Sequence, residues 1–513
     1  TDRTRRVANF LLSRGITLHT ERSELKNWES GQNHVALYLH NSPEYLEAML
    51  GAFKARAVPF NVNYRYVGEE LLYLFTDASP KVIIYQGRFA RALAEVLPQV
   101  LSVELLIQVD DGSGAPLLPS AHDYETVLNQ SSPDKPAVDL SPDDIYCTYT
   151  GGTTGMPKGV LWRQADSIFA NLGGRYPDGS AIPETSAFVA RATKSGGRRV
   201  MPAPPFMHGA GCQVALAALC AGNTVVIQQE VSRLDVADLL RTIEAERIDM
   251  FLIIGDAFGR PLVGEARANA YDLSSVRTIF SSGAILSPPV KEGLLDLMPQ
   301  ARIIDALGSS ETGPQAIQVS THDSHDTADA RFELSEDSVI LNEDRSGILE
   351  PGHDGFGWLA KRGVVPLGYL GDESKTKETF PEIGGTRYVV CGDRVRLLAD
   401  GEIEFHGRES FTINSGGEKI FAEEVERAIK RHSSVADVVV TGRPSTRWGN
   451  EVVAIVELEP GRPERRQELL EEAAKHIAGY KLPKAFLFID TVQRGASGKT
   501  DSRWAQSVAD RAT

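Results

Sequence analysis

Cysteine is scarce: the 513 residues hold four, Cys147, Cys212, Cys220 and Cys391. They lie far apart and lack metal-ligand spacing, so buried thiols in a reducing compartment are the default. Positive charge is in deficit, with 54 Lys and Arg against 69 Asp and Glu, a net charge of −15. Phosphate-backbone binding needs concentrated Lys and Arg, which argues against a nucleic-acid partner. An anionic substrate in a locally basic pocket is still allowed. Long apolar runs are also missing. The most apolar stretch, residues 210–227, is interrupted by Gln213, Asn223 and Thr224, and reads as a buried helix followed by a strand, not a membrane span. No signal peptide is visible, and a start without Met leaves targeting from that end open. No internal repeat or heptad array is evident.

What is present suits a large globular chain. Hydrophobic residues make up 42% and charged residues 24%, an ordinary balance with ample core material. The length exceeds what one core organises, so two or more domains are expected. Ser42-Pro43 reads as an N-cap with proline in the first turn, and Leu46, Met49, Leu50 and Phe53 follow at helical spacing. Helices are predicted at 71–75 and 89–97 and strands at 82–85 and 105–109, giving βα units over a largely parallel sheet. Residues 131–144, rich in Ser, Pro and Asp, read as an exposed connection. Residues 191–199 read as a basic surface excursion, 234–248 as an amphipathic helix, and 251–254 and 276–280 as strands. The acidic stretch 315–351 is expected to form the edge and a barrel-like part of the large domain. From Phe421 the pattern becomes a compact α+β unit. The expected architecture is α/β with α+β: an N-terminal domain over 1–407 and a small mobile C-terminal lid over 408–513, hinged near 408–410.

The stretch that organises the chain is Tyr149-Thr150-Gly151-Gly152-Thr153-Thr154-Gly155-Met156-Pro157-Lys158-Gly159, hung from the β-prone run 145–148. Glycines permit tight turns and close approach to a ligand. Threonine hydroxyls, successive backbone N–H groups and the Lys158 ammonium make an anion nest suited to a polyphosphate. It is not the common P-loop, because Lys158 follows Pro157 and precedes Gly159.

Other segments have both a plain and a functional reading. Glu311, in Leu307-Gly308-Ser309-Ser310-Glu311-Thr312-Gly313, is a turn or cap residue, or a hard-oxygen ligand for Mg²⁺. Ser281-Ser282-Gly283-Ala284 is a close helix approach or a wall with little bulk. Asp393, in Cys391-Gly392-Asp393 after residues 388–390, is a strand-end turn residue or a carboxylate for a ribose diol. Arg408 makes a structural ion pair or binds an anion at the domain junction. Lys499, in Ser497-Gly498-Lys499, is by composition a solvated lysine, and His208 by itself is a satisfied histidine beside apolar residues.

Taken in order, these segments resemble the acyl-adenylate-forming superfamily, the AMP-binding family of acyl-CoA synthetases, adenylation domains and luciferases. Their common first step turns a carboxylate and ATP into an acyl-adenylate and pyrophosphate. The resemblance spans nearly the whole chain and implies a role for each motif. ATP is held by Thr150, Gly151, Gly152, Thr153, Thr154, Gly155 and Lys158 and by Leu307, Gly308, Ser309 and Ser310. Gly283 and Ala284 lie against adenine, Asp393 takes the ribose, and Arg408 takes the ribose or α-phosphate side. Glu311 and Thr154 bind Mg²⁺, and Lys499 reaches the substrate carboxylate and α-phosphate. His208 orients the acid. Gly416 and Gly417, in Ser415-Gly416-Gly417-Glu418-Lys419-Ile420, line the path of coenzyme A, with Lys419 facing solvent.

Four departures stand out. Leu307 takes an aromatic position, Cys391 replaces Thr, Ser410 occupies the hinge, and Trp162-Arg163 replaces Thr-His, so that no role transfers to the last pair. The chain is also similar to actinobacterial acyl-CoA synthetases of lipid and steroid-side-chain breakdown, which implies a long or bulky apolar acid. Alternatives are an acyl-AMP ligase serving a carrier protein and a non-catalytic acyl- or nucleotide-binding protein. A cytoplasmic location is expected, with peripheral membrane association and a homodimer left open.

Overall fold

Short capping sequences start the helices where the spacing predicts. Ser42 Oγ accepts the Tyr45 N–H at 3.3 Å and opens Pro43–Lys54. Asp235 likewise accepts the Asp238 N–H at 2.9 Å and opens Val236–Glu246, which ends at Arg247 in the left-handed region, φ 47°. The computed structural model describes residues 1–151, 156–175, 182, 184–283, 286, 288–324, 331–408, 412–493 and 502–511. The chain divides into two compact units. The first gathers Thr1–Tyr64, Thr76–Thr150 and Lys158–Gly407; the second gathers Arg65–Phe75, Gly151–Pro157 and Arg408–Thr513. The larger is α/β with extensive sheet, and the smaller contains an α+β fold.

The first unit contains a five-stranded sheet, in the order Val58–Asn61, His34–Tyr38, Val82–Gln86, Leu105–Val109 and Ala121–Asp123, with every pair parallel. Its three central strands are buried on both faces, as the apolar runs imply. A twelve-stranded sheet follows. Thr224–Val225, Arg199–Pro202, Met250–Ile253, Thr278–Ser282 and Arg302–Ser309 are parallel neighbours, and Gly313–Thr321 then joins antiparallel. A three-stranded sheet places Pro157–Arg163 between Ile145–Gly151 and Gly368–Tyr369.

The structure sharpens two expectations and corrects a third. Residues 191–199 lie at the surface, exposed or half-buried throughout, but are regular: they finish the helix Thr185–Ser195 and enter the strand Arg199–Pro202. Within 315–351, Gly313–Thr321 is an interior strand of the long sheet, and among the described residues Ser338–Leu341 stands at one end of its strand order, as the expected edge. Cys391-Gly392-Asp393 lies inside the strand Thr386–Leu397, not at a strand-end turn. The register shows why: Trp358 faces Arg394 while Ala360 faces Val390, so these three residues bulge opposite Leu359.

In the second unit, Glu418–Phe421, Thr412–Ser415, Gly449–Leu458 and Val435–Ser445 form an antiparallel sheet, with Ala485–Ile489 parallel to Gly449–Leu458. Val438 and Val440 join one core cluster with Val425 and Leu469, while Val439 joins another with Ala505. Among the described residues, no helix is long and apolar enough to cross a membrane.

Candidate functional site

The strand Ile145–Gly151 delivers the glycine-rich loop, of which Gly152, Thr153, Thr154 and Gly155 lie outside the described residues. Its last turn-free residues are anchored by Asn61, at the end of Val58–Asn61. Asn61 Oδ1 accepts the Tyr149 N–H at 2.8 Å, and Nδ2 donates to the carbonyls of Tyr149 at 2.9 Å and Met207 at 2.5 Å. A single buried amide thus replaces a missing ladder partner and ties the loop's origin to the segment carrying His208. Thr150 is half-buried at the loop's start. The Tyr149 hydroxyl donates to Asp77 at 2.6 Å. Burial raises the Asp77 carboxyl, and that donor together with Lys158 only partly offsets it.

Beyond the loop, Lys158 enters the strand Pro157–Arg163. Its ammonium lies 2.5 Å from Asp372 Oδ2 and 5.9 Å from the centre of the Tyr369 ring. The Tyr369 hydroxyl donates in turn to Glu311 Oε1 at 3.0 Å. Burial, then the Glu311 charge, pushes this phenol well above its ordinary range, so it stays a donor at neutral pH. Lys158 and Glu311, 153 positions apart by number, are thereby linked through one short turn.

Glu311 is buried on the turn between Arg302–Ser309 and Gly313–Thr321. The turn is held from several sides. Ser309 N–H donates to Thr312 Oγ1 at 2.9 Å, and Glu311 N–H to Ser309 Oγ at 3.2 Å. The buried Trp162 indole donates to the Ser310 carbonyl at 2.9 Å. The buried Lys361 ammonium donates to the carbonyls of Thr312 at 2.8 Å and Pro314 at 3.2 Å. Gly308 has to be glycine, since a Cβ there would stand 2.2 Å from the Gly313 carbonyl oxygen. Leu307 packs beside Ala316 and Leu359, which gives the departed aromatic position an aliphatic environment.

The bulge reaches the same place: Cys391 Sγ lies 3.6 Å from Ser309 Oγ, and Asp393 beside it is 2% exposed. His208 is half-buried and precedes the helix Gly209–Cys220. A Cβ on Gly209 would meet Ser310 Oγ at 2.8 Å, so this helix start abuts the Glu311 turn. Gly283 is exposed with φ 85°, and among the described residues a Cβ would meet Ile254 carbons at 3.7 and 3.9 Å, ordinary contact distances. Its backbone angle favours glycine there.

Lys158, Glu311, His208, Ser309, Ser310 and the Asp393 bulge are therefore brought into one linked neighbourhood in the first unit. Gly416 and Gly417 form the two-residue turn joining Thr412–Ser415 to Glu418–Phe421, with φ of 59° and 84°. Arg408 closes the strand Ile403–Arg408, but neither its side chain nor that of Lys419 is described. Ala284, Ser410 and Lys499 lie outside the described residues. Sequence reasoning missed Asn61, Asp77, Trp162, Lys361, Tyr369 and Asp372. A signal existed for two of them: Gly368-Tyr369-Leu370-Gly371-Asp372 is a glycine-framed turn ending in a helix N-cap.

Mg²⁺ takes hard oxygen ligands, few of them from protein, and keeps waters and phosphate oxygens. A single buried carboxylate on a braced turn beside a lysine fits that demand. Among the described residues, no group of three or more His, Cys, Asp or Glu is arranged to hold a metal.

Comparison with known proteins agrees with this architecture. The model of the AMP-binding enzyme family matches residues 1–370, and that of the AMP-binding enzyme C-terminal domain matches 424–499. The medium-chain acyl-CoA ligase Mig of Mycobacterium avium is 48% identical over 509 residues, covering 99% of this chain and 92% of its own. The 3-oxocholest-4-en-26-oate–CoA ligase of Rhodococcus rhodochrous is 38% identical over 516 residues, covering 98% and 89%. The structure of the amide bond synthetase McbA from Marinactinospora thermotolerans has a TM-score of 0.79 over 99% of this chain and 94% of that one. At 19% identity it is a likeness of fold alone.

Proposed function

The chain belongs to the AMP-binding enzyme family, and from that premise we propose that it is an AMP-forming acyl-CoA synthetase for a long-chain or bulky apolar acid. The observation that carries the reading is the Lys158–Tyr369–Glu311 linkage, which joins a phosphate-type lysine to a buried carboxylate at a glycine-rich loop. In this reading the loop and Lys158 bind the ATP phosphates and Asp393 holds the ribose. Glu311, with Thr154, would hold Mg²⁺, whose chemistry is to neutralise polyphosphate charge and favour departure of pyrophosphate. His208 orients the acid so that its carboxylate oxygen meets the α-phosphorus. Lys499 stabilises the charge that develops there, an interaction worth several kcal/mol in a closed site. The 408–513 domain then exchanges Lys499 for the Gly416-Gly417 turn, where the thiol of coenzyme A attacks the adenylate and AMP leaves.

The substrate class draws on two relatives whose names specify a medium-chain acyl group and a cholestenoate. An apolar pocket would gain about 0.8 kcal/mol for each CH₂ buried, so the acid's size is open to direct titration. The test is pyrophosphate release across fatty, aromatic and steroid-side-chain acids, with and without coenzyme A, with products identified by mass. Acyl-CoA from one class of acid, reduced at least about 100-fold by Lys499→Ala, is expected. Acyl-AMP that persists in the presence of coenzyme A would redirect the assignment to a carrier-protein ligase. ATP binding with no acid-dependent pyrophosphate would make the protein a binding module.

A further inference from the structure

The ammonium assigned to the phosphates is already engaged. Lys158 Nζ stands 2.5 Å from Asp372 Oδ2, with the two side chains only 16% and 32% exposed. Asp372 is itself fixed. Its Oδ1 accepts the Lys375 N–H at 2.8 Å, capping the helix Glu373–Thr379, and its own N–H donates to the Tyr369 carbonyl at 3.2 Å. The two carboxylate oxygens therefore do separate work, one on the helix and one on Lys158. Burial pushes the Asp372 carboxyl up, but Lys158 and the Lys375 amide more than reverse this, keeping it ionised. Asp77, whose carboxyl also feels the Lys158 charge, is occupied by the Tyr149 hydroxyl.

We propose that Asp372 is a positioning residue that fixes the Lys158 ammonium beside Tyr369 and competes with a nucleotide polyphosphate for it. This rests on the adenylation reading for the identity of the anion. An incoming phosphate oxygen can bond another N–H of Lys158, but it shares the ammonium's charge with Asp372 and meets that carboxylate's negative charge, so part of the new charge-assisted attraction is cancelled. This competition weakens the hold on every polyphosphate, including the pyrophosphate that has to leave after the acid is activated. Asp372 thus trades substrate affinity for product release.

The substitution Asp372→Asn separates the two oxygens' roles, because an asparagine oxygen still caps the helix while the charge is gone. Calorimetry on the full chain would measure the Kd of ATP and of pyrophosphate. In Asp372→Asn both are expected to tighten about three- to tenfold, with slower pyrophosphate release. In a Lys158→Met background the same change should have no effect, since the coupling resides in the pair. Acetic anhydride labelling of Lys158, followed by mass spectrometry, should rise about threefold in Asp372→Asn and stay near wild type in Asp372→Glu. Unchanged or weaker polyphosphate binding, gains that persist without Lys158, or unchanged labelling would each overturn the proposal. A wild-type chain that binds neither anion would sink the adenylation reading and the competition with it, while labelling would still report whether Asp372 holds Lys158.

Discussion

Lys361 shows how one buried residue can support the site without touching substrate. Its ammonium bridges the carbonyls of Thr312 and Pro314, which follow Glu311 in the chain. Burial lowers its pKa to about 8, against a smaller opposing influence of Asp337, with Arg175 adding to the lowering. The folded chain therefore sheds this proton above about pH 8, whereas the unfolded chain keeps it to about 10.5. Between those values the unfolded state binds more protons, so this group's contribution to stability becomes more favourable as pH rises, by up to about 1.4 kcal/mol per pH unit. Denaturant titrations at pH 8 and pH 10 should show that slope in the wild type and its loss in Lys361→Met. An equal slope in both proteins would mean that Lys361 is charged or solvated to the same degree in both states. Trp162 works similarly: an indole with no transferred role holds the Ser310 carbonyl and so sets the angle of the Glu311 turn.

At the scale of elements, the site is built from irregularities in regular structure. The Cys391-Gly392-Asp393 bulge interrupts the pairing of Gly357–Arg362 with Thr386–Leu397 and turns Asp393 into a buried position beside the Glu311 hairpin. Gly392 supplies φ 92°, and among the described residues no atom beyond its chain neighbours lies within 4 Å of where its Cβ would be. Gly392→Ala therefore adds backbone strain of roughly 1–3 kcal/mol without a clash. If Asp393 holds the ribose, the expected result is a severalfold rise in KM for ATP with KM for the acid unchanged. Steady-state kinetics that show both constants unaffected would remove the bulge from the nucleotide site. The helix start at Gly209 and the Asn61 amide do comparable work, because each fixes a backbone approach that strand pairing alone leaves loose.

The whole molecule is assembled around several apolar cores. One gathers Val35, Ile84, Trp162 and Phe206; a second gathers Phe251, Ile279 and Leu294; and a third, in the second unit, is built from Ile420, Val425, Val438 and Val452. Separate cores allow separate opening reactions. Val438 is fully buried, and Val438→Ala should cost about 2 kcal/mol through lost burial and a residual cavity. Hydrogen exchange should then accelerate in the strands Val435–Ser445 and Gly449–Leu458 while protection of Ile145–Gly151 holds. Uniform acceleration across the chain would instead mean that it opens as one cooperative body.

Sequence alone determined the features whose physics is local. Caps such as Ser42, apolar runs such as Val82–Gln86 and the family motifs are each written within a few consecutive residues. The architecture followed from them because strand and helix periodicity need no distant partner. Tertiary structure decided what faces those motifs. Lys158 meets Asp372 across 214 positions, Trp162 meets Ser310 across 148, and Glu311 meets Tyr369 across 58. The bulge at Asp393 likewise exists only as a register against Gly357–Arg362. No spacing rule encodes such pairs, because the burial that makes them strong is created only when the sheets pack.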